Sequence, residues 1–85
     1  MGELRREKRY VPVVVRFDSE GKLRPLEIEF DEEHKYPVDK VLDVCRAACQ
    51  TVGGVGERYT IRVQGHERYL WMEKGRWFVE AYKES

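Results

Sequence analysis

Eighty-five residues make one domain with a small core, since a chain this short buries only about 60–65% of its unfolded surface. Sixteen basic residues balance sixteen acidic ones, so no overall field draws the chain onto nucleic acid or an anionic membrane. No apolar run is long enough to span a bilayer, and "MGELRREKRY" lacks the apolar stretch of a secretory signal, which points to the cytoplasm and to no membrane partner.

Residues 1–9 alternate charges and carry little to bury. They read as a flexible charged arm ahead of a single domain over residues 10–85. "YVPVVVRF" then begins a strand with Val11, Val13, Val15 and Phe17 on one face. Pro12 has no N–H to give a ladder, which places it at an edge or at the first paired position. "DSEGK" is a turn, with Gly21 free to take a positive φ. In "RPLEIEF" Leu26, Ile28 and Phe30 face inward while Glu27 and Glu29 face out, and the two runs pair as a hairpin. "DEEH" is a turn without glycine. "KYPV" resumes an extended course, because the residue before Pro37 is pushed away from helix.

"DKVLDVCRAACQTV" reads two ways. Val41, Val44, Cys45, Ala48, Cys49 and Val52 follow helical spacing, with Asp39 as N-cap and Gly53 as the left-handed C-terminal residue. That favours a short helix over about residues 40–52. A strand is the alternative, because Val and Cys also suit sheets. After "GGVG", Tyr59, Ile61 and Val63 alternate with Arg58, Thr60 and Arg62 in a half-buried strand. Turns at Gly65 and Gly75 link it to "RYLWM" and "WFVEAY" in a meander.

The fold class is therefore mainly β: a small twisted antiparallel sheet or partly closed SH3-like barrel of five to six strands, with α+β as the alternative if the 40–52 helix forms. Val13, Val15, Leu26, Ile28, Tyr59, Ile61, Leu70 and Phe78 are the expected core.

"YVPVVVRFDSEGKLRPLEIEF", "YPVDKVLDV", "GGVGERYTIRVQGHERYLWME" and "RWFVE" together resemble a family of small uncharacterised bacterial proteins of the Firmicutes type. They are similar, more loosely, to an uncharacterised domain associated with Y-family translesion DNA polymerases. The resemblance spans Tyr10 to Glu80 and rests on structural motifs: turns, inward aromatics and a late Trp. It implies no catalytic residue. The Phe30–Glu33 turn and the cysteines Cys45 and Cys49 depart from its pattern.

Few motifs carry chemistry. "GGVG" matches neither a P-loop nor a dinucleotide fingerprint, and it precedes a strand, so no helix N-terminus meets a phosphate. It reads as a connection needing positive φ or close backbone approach. Cys45 and Cys49 share a face and read as core-facing thiols. With His34 and His66 they lack the spacing of a structural zinc site, so no metal and no cofactor are expected. No nucleophile motif or paired carboxylate appears, and the chain reads as no enzyme. What remains is an arginine and aromatic surface of Arg58, Arg62, Arg68, Tyr69, Trp71 and Arg76. The expected function is a non-catalytic module that binds an unidentified protein. The alternative, drawn from this surface and the looser resemblance, is a nucleic-acid-binding accessory domain connected with DNA repair or translesion synthesis.

Overall fold

The computed structural model describes residues 4–48 and 54–84, with side chains placed from residue 7 to 48 and from 54 to 81. Eight strands occupy these residues: β1 (Leu4–Tyr10), β2 (Val13–Phe17), β3 (Leu23–Glu29), β4 (Lys35–Pro37), β5 (Lys40–Ala48), β6 (Val55–Val63), β7 (His66–Glu73) and β8 (Arg76–Glu84). They form two antiparallel sheets, one ordered β1-β8-β7-β6-β5 and one ordered β2-β3-β4. The fold is mainly β, as expected. Among the described residues no helix is long and apolar enough to cross a membrane.

Two extended runs change sheets partway along. Val11 N donates to Trp77 O in the larger sheet, and the next carbonyl, that of Pro12, accepts from Glu29 N in the smaller one. Val38 N donates to Leu26 O in the smaller sheet, and Asp39 N to Arg62 O in the larger. Each crossing therefore passes from one ladder to the other within two residues. Because β1 runs on into β2 and β4 into β5, the neighbours close into a circuit of six continuous runs. Pro12 sits at a crossing, where its carbonyl is used and no N–H is missed.

Paired residues in an antiparallel ladder share a face, so register sorts the larger sheet into two sides. Tyr59, Leu70, Met72, Trp77 and Val79 take the inner side, towards the smaller sheet. There Val11, Ile28, Tyr59, Ile61 and Leu70 form the main core, with Val13, Phe30, Val38, Val41 and Val63 packed around it. Trp71 and Phe78 take the outer side and form a second buried cluster with Ala47.

Four expectations are corrected. Residues 4–9 belong to β1, which pairs with β8 from Leu4–Glu84 to Tyr10–Phe78. Backbone pairing needs no apolar side chain, so charge alternation does not preclude a strand. Second, residues 40–48 form β5 and not a helix, so the α+β alternative falls for these residues. Val41 pairs with Ile61 and Val44 with Tyr59, because an irregularity at Leu42 inserts one residue. That insertion spaces two inner positions three apart and imitates helical periodicity. The proposed C-terminal residue of the helix, Gly53, and Cys49 lie outside the described residues.

Third, Leu26 is 44% exposed and Val15 36%. Val14 pairs with Glu27 but Val15 with Pro25, so Leu26 is the extra residue of a bulge. The alternation reverses there, and Pro25 is buried in place of Leu26. Val13 is half-buried against the core. Fourth, the described residues hold eight strands where five or six are expected, because β1 is added and the 40s contribute β5.

The turns follow their local chemistry. Gln64–Gly65 and Lys74–Gly75 have positive φ at both positions, which suits the twist of two-residue hairpins. Asp18 Oδ1 accepts from Glu20 N and Lys22 N, both at 2.9 Å, and closes the β2–β3 turn. Asp31 Oδ1 accepts from Glu33 N and His34 N, both at 2.8 Å, so "DEEH" turns without glycine.

Candidate functional site

The arginine and aromatic surface divides between the two faces. Arg58 pairs with Trp71 and Thr60 with Tyr69, so Arg58, Arg62, Tyr69 and Trp71 share the outer face. Arg76, opposite Glu73, joins them. Arg68 pairs with Ile61 and belongs to the inner face. The two neighbours Arg68 and Tyr69 cannot share a face because strand side chains alternate.

On the outer face the large aromatics are buried. Trp71 is 3% exposed and Phe78 1%, with their rings stacked at 6.0 Å. Lys8 Nζ lies 5.0 Å above the Phe78 ring and 2.7 Å from Glu73 Oε1. The exposed rings are Tyr10 and Tyr69. Arg76 sits 3.6 Å from the Tyr10 centroid and Arg58 4.6 Å from that of Tyr69. Arg58, Arg62 and Arg76 form no ion pair among the described residues. Arg58 Nε and Trp71 Nε1 are buried without a hydrogen-bond partner there. Lys8 and Tyr10 are missed by sequence reasoning, since β1 carries no apolar alternation to announce it.

The glycine-rich segment is structural where it is described. Gly54 has φ near 90°, and a side chain there would collide with the Glu73 carboxylate. At Gly56 a Cβ would lie 2.5 Å from Met72 O, so only glycine allows this approach of β6 to β7. Cys45 is a half-buried free thiol paired with Arg58 across the ladder. His34 Nδ1 lies 2.8 Å from Asp31 Oδ1, which commits it to its own turn. Among the described residues no His, Cys, Asp and Glu cluster is arranged to hold a metal ion.

A cleft of about 830 Å³ opens between the β2–β3 hairpin and the larger sheet. Val15, Phe17, Leu23, Val44, Met72 and Trp77 are among its walls. Its rim is apolar and in water: Phe17 is 70% exposed and Val44 46%. Tyr59, 5.1 Å from Trp77 between ring centroids, lies at its base. Burial pushes the Tyr59 phenol above its ordinary pKa, and the Glu57 carboxylate beside it adds to the effect. The alternation of "VVVRF" assigns Val15 and Phe17 to the core, so the cleft is hidden from a pattern reading.

Comparison with known proteins returns nothing that bears on this geometry: no family model, curated protein or solved structure matches the chain.

Proposed function

We propose that the chain is a non-catalytic interaction module that binds another protein through the cleft beside the β2–β3 hairpin. The observation that carries this reading is the apolar rim of Val15, Phe17 and Val44 left in water above Met72 and Trp77. Contiguous apolar surface of this kind is unfavourable in a monomer unless something covers it. The charged groups at the margin, Lys22, Arg24 and Glu57, supply the polar border typical of a protein interface. A cytoplasmic setting suits it, with thiols kept reduced. The test is affinity capture on immobilised protein, comparing the natural chain with Phe17→Ser and Val44→Ser. Both positions are exposed, so the variants keep their fold by circular dichroism and lose the bound protein. Retention of the same proteins by all three would sink the reading.

A second reading is favoured by the outer face. Two arginines without carboxylate partners lie against exposed tyrosines, an arrangement that suits phosphates and stacked bases. In this form the module binds single-stranded nucleic acid, in line with the resemblance to a polymerase-associated domain. Anisotropy of a labelled oligonucleotide at low salt decides it. Binding must weaken steeply with salt and be lost in Arg58→Glu with Arg62→Glu. Trp71 and Phe78 are buried, so the tyrosines alone would provide the stacking.

A further inference from the structure

The ladder between β7 and β8 is short for two such long strands. It joins Glu73 to Arg76, Met72 to Trp77 and Trp71 to Phe78, and there it stops. Yet β7 begins at His66 and β8 continues to Glu84. Over those lengths β7 pairs with β6 alone and β8 with β1 alone. The circuit of strands is therefore broken by a wedge that widens from Leu70 and Val79. A cleft of about 680 Å³ fills the wedge, with Ile28, Phe30, Tyr36, Ile61 and Val63 along its inner wall.

The wedge has an edge that no described strand pairs. In an antiparallel ladder the N–H and C=O of successive residues point to opposite sides. The tight turn at Lys74–Gly75 makes Glu73 and Arg76 a hydrogen-bonded pair, so Trp71 also turns its backbone groups towards β8. Tyr69 and Glu67 turn theirs the same way, where the described residues offer no strand. The edge also has a charge. Arg68 and His66 stand on the inner face at the mouth of the wedge. Neither forms an ion pair among the described residues, and the Arg68 guanidinium donates only to the Glu67 carbonyl, at 3.1 Å.

We propose that this wedge receives an extended segment of a partner protein, which pairs with β7 and restores the broken circuit. Its inward side chains meet Leu70 and Val79 first and Arg68 two residues nearer the mouth. The segment that fits has an apolar residue followed, two positions on, by a carboxylate. Main-chain pairing supplies affinity and the alternate side chains supply selectivity, as in other strand additions. The site is separate from the cleft beside Phe17, and either can fail without the other.

The probe is a short capped peptide in which threonines alternate with valine, glutamate and valine. A matched peptide carries lysine in place of the glutamate. Amide exchange of the unbound protein comes first: Tyr69 exchanges fast beside a protected Leu70. Adding the glutamate peptide slows exchange at Tyr69 and Glu67 and shifts the Val79 amide. The lysine peptide binds about tenfold more weakly, because opposite charges across a ladder stabilise and like charges destabilise. Arg68→Glu reverses that preference, and Arg68→Gln abolishes it. A Tyr69 amide already as protected as Leu70 in dilute protein would overturn the proposal. So would protection that grows with protein concentration alone, since a second copy would then fill the wedge. Equal binding of the two peptides would overturn it as well.

Discussion

Two hairpins of this molecule are built from the same elements and end differently. The β6–β7 hairpin pairs without interruption from Glu57–Met72 to Val63–His66, and Ile61 and Leu70 on it have no exposed surface. The β2–β3 hairpin has comparable alternation, but a bulge at Leu26 breaks its register, and Val14, Val15, Phe17 and Leu26 all face water. β6 has a strand on each side and packed side chains on both faces. β2 is an edge strand with one covered face at most. Alternation thus states which residues share a face, while register and neighbours decide whether that face is covered.

The largest test of this contrast is truncation. Ile61→Ala or Leu70→Ala should cost about 2–5 kcal/mol, and Phe78→Ala about 3–5 kcal/mol, because each leaves a cavity among packed neighbours. Phe17→Ala and Leu26→Ala should stay within about 0.5 kcal/mol, as exposed positions do. Urea unfolding followed by tryptophan fluorescence measures both sets. A Leu26→Ala cost equal to that of Ile61→Ala would remove the bulge from the account.

Next comes the close approach of β6 to β7. Gly56→Ala places a methyl against the Met72 carbonyl, a backbone atom that cannot rotate away. A loss of about 1–3 kcal/mol is expected, the usual cost of overpacking. An unchanged urea midpoint would mean that the two strands are free to separate here.

Acid should discriminate between the two turns. The backbone amide of Lys22 holds the Asp18 carboxyl below its ordinary value of 3.8, helped by Glu20 N and the Arg24 charge. A lowered pKa means that the turn's stabilisation is present above 3.8 and is lost as the pH falls through the folded value. The Gln64–Gly65 turn has no carboxylate between its strands. On acidification, amide protection at Glu20 and Lys22 should be lost before that at His66, which pairs with Val63 across its turn. Simultaneous loss would show that acid acts globally.

The smallest effect lies at the alkaline end. Because the Tyr59 pKa is raised above 10.0, its contribution is present below that value and is lost as the pH rises through the folded pKa. Tyr59→Phe should flatten the alkaline fall of the melting temperature. An identical alkaline profile would mean that other groups dominate.

Part of the candidate site was legible. Arg58 and Tyr69 stand side by side as their strands' alternation implies, since β6 and β7 pair in register. Arg68 could be placed on the wrong face only by grouping it with Tyr69 through mere proximity in the chain. Phe17 and Val44 were illegible as surface, because both sit where an alternating or helical pattern assigns burial. The break between β7 and β8 leaves no local mark at all: "RYLWM" and "WFVEAY" have unbroken strand character on both sides of it.

By itself the sequence determined the local geometry: the turn at Asp18, the paired positive φ values at the two late hairpins, and the side-chain alternation of β6, β7 and β8. These depend on residues a few positions apart, through steric limits and short hydrogen bonds. Only the tertiary structure decided that Leu4–Tyr10 and Lys40–Ala48 are strands, because each is held by the backbone of a partner that the segment does not contain. It also decided that Leu26 faces water, that two runs cross between sheets at Val11–Pro12 and Val38–Asp39, and that β7 parts from β8. One inserted residue reverses a face and one lost ladder rung opens an edge, and the balance that selects either is made between strands, where no local pattern records it.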